Sequence, residues 1–261
     1  MYINDINIIA YVIVALLGAV AGQICDLLNF ILPKHKKILS IENTKKYLKS
    51  TKPKYLLMVI HIIIYLGILY RYGINDVNTI KYMILTPMII FAFYIDYKMQ
   101  IIPNRLTLTI FEVGLIFTFI HGIFNLNVAL SIPCINVKIN VALSMFQGFI
   151  VGGLIFLAIT IIGGFIFGKE TMGFGDVKMI AALGLYFGVQ GIIAISIISF
   201  LIAALFSIVL LIIQKIRHRD LIEYIAFGPF IVISAFIVMF VPIETLIILP
   251  FVILSFGKYK V

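Results

Sequence analysis

Residues 141–214 read VALSMFQGFIVGGLIFLAITIIGGFIFGKETMGFGDVKMIAALGLYFGVQGIIAISIISFLIAALFSIVLLIIQ. Four charged residues interrupt this run, Lys169, Glu170, Asp176 and Lys178, and all fall in one short stretch. A bilayer hydrocarbon core takes about 20 apolar residues as helix. The run is therefore long enough to cross more than once, with its charges at a turn. A membrane barrel would instead alternate apolar and polar residues over segments of about ten. The reading is an all-α, polytopic membrane protein.

The rest of the chain agrees. Of 261 residues, 63% are hydrophobic and 12% charged, against roughly 45–50% and about 25% in soluble domains. This excludes a soluble enzyme, a disordered chain and a disulfide scaffold. The two cysteines, Cys25 and Cys134, form no CxxC or Cys/His cluster, so no structural zinc site is expected. The net charge of +9 is not read as a nucleic-acid footprint, because its distribution follows topology. Residues 1–5 carry no Lys or Arg, and the apolar run behind them is too long for a signal peptide.

Eight spans are expected, near 6–32, 55–72, 80–97, 106–124, 141–167, 177–190, 191–214 and 225–241. A shorter apolar tail, 244–257, is left open. Segment 33–54 holds eight Lys against one Glu, which places it in the cytoplasm. The amino terminus is then outside. Alternation puts Lys98, Arg105, Lys169, Lys178, Lys215, Arg217 and Arg219 inside as well. Only Arg71, Lys81 and Lys138 flank outer loops. Fifteen inner cations against three outer ones support both the span count and the direction. The same cations suit anionic headgroups, so membrane lipids are expected partners. No polar stretch is long enough for a soluble domain. Two regions are drawn on this basis, an amino-terminal two-span region 1–79 and a core 80–261. Gly148 and Gly152, one turn apart, are read as a close helix contact.

Ionisable groups in apolar context are costly, about 2.5–3.5 kcal/mol for an Asp at the bilayer centre. Asp96 ends the third span and Asp176 opens the sixth. Two full spans lie between them, so both carboxylates are expected at cytoplasmic helix ends. Two acids at one depth suit an aspartyl dyad sharing a proton. They are equally compatible with two ordinary interfacial carboxylates. Gly173 and Gly175 precede Asp176, and glycine permits φ > 0 and an unwound backbone at a helix entrance. Such a break would let a peptide strand approach Asp176. Asn104 is expected to cap the fourth helix, and Pro103 to end the third. Lys178 points about 200° away from Asp176 on a helix, so direct contact is not expected.

These segments resemble the type IV prepilin leader peptidases, intramembrane aspartic proteases of the GxGD class. Asp96 is followed by Ile102-Pro103-Asn104-Arg105-Leu106-Thr107. The second motif reads Gly168-Lys169-Glu170-Thr171-Met172-Gly173-Phe174-Gly175-Asp176-Val177-Lys178, then Ala181-Ala182-Leu183-Gly184. A third, Phe227-Gly228-Pro229-Phe230, opens the last span. The resemblance implies Asp96 and Asp176 as catalytic residues, with Gly173, Gly175, Lys178, Pro103 and Asn104 supporting them. It implies prepilin or pseudopilin substrates of type IV pili or protein secretion, cut after a Gly at the cytoplasmic face of the inner membrane. Cleavage by a dyad and a water needs neither metal nor cofactor.

The amino-terminal third departs from the pattern. Bifunctional members carry a Gly-Ser-Phe-Leu-Asn-like stretch ending in Arg-Leu-Pro, then a loop with paired CxxC motifs. Here the stretch is Gly22-Gln23-Ile24-Cys25-Asp26, ending Ile31-Leu32-Pro33, and the cysteine pairs are absent. Methylation with S-adenosylmethionine is accordingly not expected to be retained. His61, His121 and Glu112 are read as packing residues, Asp26 as interfacial, and Glu223 as a partner of Arg217 or Arg219. Two other classes fit parts of the pattern. A proton-coupled transporter also uses paired acids and broken helices, but at the midplane. A non-catalytic pilus-assembly scaffold would keep the helices without needing both acids.

Overall fold

The computed structural model describes residues 2–4, 6–31, 55–123, 127–132, 135–168, 172–217, 225–242 and 245–246. The basic segment 33–54, Glu223, Arg219 and most of the tail 244–257 lie outside them. The fold is helical. Helix α1 is Ile8–Ile31, α2 Tyr55–Tyr72, α3 Val77–Met99, α4 Asn104–Ile123, α5 Val141–Phe167, α6 Phe174–Ile216 and α7 Gly228–Phe240. Six of them are long and apolar enough to cross a membrane. The chain is a multi-pass membrane protein. Two short antiparallel hairpins accompany the helices. One pairs β1 (Tyr2–Ile3) with β2 (Ile6–Asn7). The other pairs β3 (Asn127–Ile132) with β4 (Ile135–Asn140), in register from Asn127 opposite Asn140 to Ile132 opposite Ile135. The second hairpin is not apparent in the sequence, where 125–140 reads as a plain loop.

The helix ends follow local chemistry. Asn7, Asp76 and Asn140 each accept a backbone N–H two residues on through a side-chain oxygen, at 3.1, 2.8 and 2.9 Å. Free first-turn donors are satisfied in this way. Gly73 and Gly168 take φ of +79° and +63° just past α2 and α5, and each amide bonds the carbonyl four residues back at 2.9 Å. This is the left-handed stop that glycine permits.

Two compact units emerge, Met1–Met99 and Gln100–Val261. The packing division therefore falls after the Asp96 helix, whereas the motif-based division at 79/80 precedes it. In the first unit α1, α2 and α3 pack on one another. Pro87 lies inside α3 and has no N–H for the carbonyl of Met83. Tyr65 on α2 donates its hydroxyl to that carbonyl at 2.7 Å. His61, fully buried, bonds the Leu57 carbonyl through Nδ1 at 2.7 Å, a packing role as expected. Asp26 is buried, at 3% exposure.

In the second unit α6 is not a straight rod of 43 residues. Gly188 interrupts it with φ +67° and ψ −174°, a conformation almost confined to glycine. A methyl group placed on Gly152 of α5 would stand 2.8 Å from Ile192 Cγ1 and 3.1 Å from the Ile180 carbonyl oxygen. Those two atoms are thus within about 6 Å of each other. Twelve residues of continuous helix would separate them by about 18 Å. The chain must fold back at Gly188, giving arm α6a (174–187) antiparallel to α5 and arm α6b (189–216) parallel to it. The sixth and seventh expected spans are these two arms. Val189 donates its amide to Ser144 Oγ at 3.4 Å, which supplies one partner for the broken backbone.

Glycines set the spacing of α5 and α6a. A methyl on Gly184 would lie 2.3 Å from the Gly148 carbonyl carbon and oxygen, and one on Gly148 would lie 2.6 Å from the Gly184 oxygen. The backbones touch, so the expected close contact at Gly148 and Gly152 is present. Gly184→Ala should destabilise the protein by about 1–3 kcal/mol, the usual range for overpacking. Gly122→Ala, whose methyl would meet only Ala142 Cβ at 3.5 Å, should be near neutral. Thermal unfolding of both variants in detergent checks this, and equal midpoints would refute the backbone contact.

Candidate active site

Asp96 sits in the last turn of α3, in the first unit, and is 4% exposed. Asp176 sits in the first turn of α6a, in the second unit, and is 7% exposed. Both carboxylates are buried, and each occupies a helix end.

The second unit shows how Asp176 is held. Gly173 precedes α6a with φ −66° and ψ 137°, an extended residue making no side-chain cap. Asp176 donates its amide to the Gly173 carbonyl at 3.0 Å. The entrance is extended as expected, but neither Gly173 nor Gly175 takes a positive φ. What Gly175 provides is room. A methyl there would stand 3.2 Å from Ile102 Cβ, and Ile102 is itself buried. Ile102 is a site residue that sequence reasoning missed, although it is the Ile of the Ile-Pro-Asn motif.

Asn104 is the first residue of α4, and its side chain does not cap that helix. The Pro103 carbonyl takes the role, accepting from Leu106 at 3.0 Å and Thr107 at 3.3 Å. Pro103 has no N–H, so it ends one helix and its carbonyl starts the next. The Asn104 side-chain oxygen is thereby left for Lys178, whose Nζ donates to it at 3.0 Å. Lys178 points away from Asp176, as its spacing predicts, and its target is the other motif.

The antiparallel register of α5 with α6a pairs Gly148 with Gly184 and Gly152 with Ile180. Continued, it sets Asp176 level with Phe156, eleven residues short of the end of α5 at Phe167. At 1.5 Å per residue that is about 16 Å. Asp176 opens its own helix yet stands beside the apolar middle of α5.

The third motif also finds a place. The Phe227 ring meets Phe200 at a tilt, 5.1 Å between centroids, and Phe156 and Phe230 edge-on at 5.9 and 6.0 Å, and Phe230 meets Phe206 at 5.4 Å. These ring contacts fix the start of α7 against α5 and α6b. Buried Tyr186 donates its hydroxyl to the Ile110 carbonyl at 2.9 Å, joining α6a to α4. No residue of the second motif between Lys169 and Thr171 is among those described. Glu112 is exposed on α4 and His121 buried. Among the described residues no cluster of three His, Cys, Asp or Glu could hold a metal ion.

Residues 83–208 match the type IV leader peptidase family, peptidase A24. A prepilin leader peptidase/N-methyltransferase of Aeromonas salmonicida is 28% identical over 162 residues, covering 62% of this chain and 49% of that protein. One of Escherichia coli is 29% identical over 143 residues, 55% of each chain. One of Xanthomonas campestris pv. campestris is 41% identical over 73 residues, 28% of this chain and 24% of that protein. The chain spans about half the length of the curated relatives it matches. No solved structure matches it.

A bulkier residue at Gly175 tests the contact with Ile102. Gly175→Leu should lower stability by about 1–3 kcal/mol. Gly173→Ala, whose methyl would find only Asp176 Oδ2 at 3.5 Å, should leave the midpoint of thermal unfolding unchanged.

Proposed function

We propose, from the match of residues 83–208 to the type IV leader peptidase family, that this chain is a member of that family and an aspartic endopeptidase removing the leader of prepilins or pseudopilins. Asp96 and Asp176 are the catalytic pair. The observation that carries this reading is that each motif buries one carboxylate in a helix-end turn, at 4% and 7% exposure. Burying two acids in a membrane protein without a use for them is costly.

The chemistry follows from a shared proton. The ionised acid takes a proton from a water as that water attacks the scissile carbonyl carbon. The protonated acid donates a hydrogen bond to the carbonyl oxygen and stabilises the oxyanion as it forms. The tetrahedral adduct collapses, the C–N bond breaks, and the leaving amine takes a proton from the first acid. The reaction consumes one water and needs no metal or organic cofactor.

The substrate's apolar helix lies in the bilayer with its leader in the cytoplasm. The scissile bond reaches the acids from the inner side, the side to which the Lys and Arg distribution assigns the α3–α4 corner and the start of α6a. The extended backbone at Gly173 offers an extended substrate strand groups to pair with. The names of the relatives add N-methyltransferase to the peptidase. That second activity, which would draw its methyl group from S-adenosylmethionine, is not assigned to this chain. Segment 33–54 contains no cysteine, whereas the bifunctional pattern places paired CxxC motifs there.

Asp96→Asn and Asp176→Asn should each reduce leader removal by about 10²–10⁴-fold while helical content by circular dichroism stays unchanged. Purified protein in detergent with candidate prepilins, cut sites read by mass, measures it. Wild-type-like cleavage by either variant would overturn the pair. The product should carry a free amino terminus. Full methylation in the presence of S-adenosylmethionine would show that the second activity survives without the cysteine loop.

A further inference from the structure

Lys178 and Asn104 belong to different motifs, 74 residues apart, and yet share a hydrogen bond of 3.0 Å. Their neighbours share a second contact, Gly175 against Ile102. On a helix, residues 175 and 178 stand three apart and face the same way. Both meet the corner 102–104. Asp176, one residue on from Gly175, is turned about 100° from that face. The corner itself is stiff. Gln100 holds a left-handed φ of +53°, unusual outside glycine, and Pro103 fixes the next bend. Asn104 is joined back through this corner to Asp96, eight residues earlier.

Lys178 has no packing reason to be where it is. It is exposed, and a cation near a helix amino terminus meets the positive end of the backbone dipole. Its ammonium is one of the few donors that could reach a side-chain oxygen on a neighbouring helix from an exposed position. We infer that the Lys178–Asn104 hydrogen bond is a positioning latch for the reaction, fixing the rotation of the α6a entrance, and so of the Asp176 carboxyl, against the Ile102-Pro103-Asn104 corner. It acts through Asp176 and does not touch substrate. This inference rests on the assignment of Asp176 as catalytic.

A latch has two ends that count once. Asn104→Ala and Lys178→Met should each lower kcat for leader removal about tenfold, with KM within about twofold. The double variant should also stand at about tenfold, because either change alone breaks the bond. The exchange Asn104→Lys with Lys178→Asn rebuilds the bond in reverse and should return kcat to within about threefold of wild type. Thermal midpoints in detergent are read alongside, so that a folding defect is separated from a positioning one. Losses that multiply to about a hundredfold, singles that leave kcat unchanged, or an exchange no faster than the double variant would overturn the latch. So would single variants whose lost rate is matched by lost folded protein. In each of those cases active wild type and inactive Asp176→Asn leave the peptidase reading standing. If the wild type fails to cut, or Asp176→Asn still cuts, the peptidase reading falls and the latch with it.

Discussion

A backbone N–H or C=O within a bilayer has no water to turn to, so it must be satisfied by the protein. Nearly every feature of this chain follows from that demand. The helices satisfy their own interiors. At their ends Asn7, Asp76 and Asn140 supply side-chain oxygens, and Gly73 and Gly168 turn the chain so that its own amides close the last turn. Where the ladder is interrupted, a side chain fills in. Pro87 releases the Met83 carbonyl and Tyr65 takes it. Gly188 releases an amide of the broken helix and Ser144 accepts it. Buried hydroxyls follow the same rule on their own helices, as Thr86, Ser196 and Ser234 do by bonding the carbonyl four residues back.

Once backbones are satisfied, lipid offers no hydrophobic drive to bring helices together, and close packing has to supply it. In the second unit that packing is built from glycine. Gly148 and Gly184 let two backbones meet, and Gly152 receives both arms of α6 at once. Each glycine inside a helix costs about 0.5–1 kcal/mol relative to alanine. The dispersion gained from close backbone approach offsets this, and the aromatic cluster around Phe227 adds contact at Phe156, one turn along α5 from Gly152. The result is a base of closely packed helices from which α6a carries Asp176.

The helices were legible in the sequence because apolar length is a direct consequence of bilayer thickness. Ends agree closely for 55–72 and 141–167. The expected spans 177–190 and 191–214 survive as two arms, although Gly188 alone, one glycine among several, marks the reversal. The β3–β4 hairpin was not legible. Its residues show no turn signature strong enough to separate strand from loop, and backbone pairing decides it. Within the site, the acids were visible because a carboxylate in apolar surroundings demands a reason. Gly173, Gly175, Pro103, Asn104 and Lys178 each had a local reading, and a role beside the acids came only by resemblance. Asn104 reads locally as a cap, and the competing fact is that the Pro103 carbonyl already does that work. Gly175 reads locally as a flexible residue, and the competing fact is Ile102, 73 residues away. Long-range contacts of this kind leave no local trace.

Polar side chains in this fold divide by whether they can donate. Hydroxyls, imidazoles and phenols donate to a carbonyl of their own or a neighbouring helix, and helices expose such carbonyl lone pairs along their whole length. His61, Tyr65 and Tyr186 are accommodated in that way. An ionised carboxylate only accepts, and a helix interior has no spare N–H to give it. Acids therefore cannot be absorbed into helix packing as hydroxyls are. They must be near a helix start, beside a cation, protonated, or in use. Asp176 meets the first condition by standing in the first turn of α6a. Asp96 stands in the last turn of α3, where the free backbone groups are carbonyls. Position in its helix thus accounts for Asp176, whereas Asp96, in a turn whose free backbone groups are carbonyls, has to meet one of the other conditions.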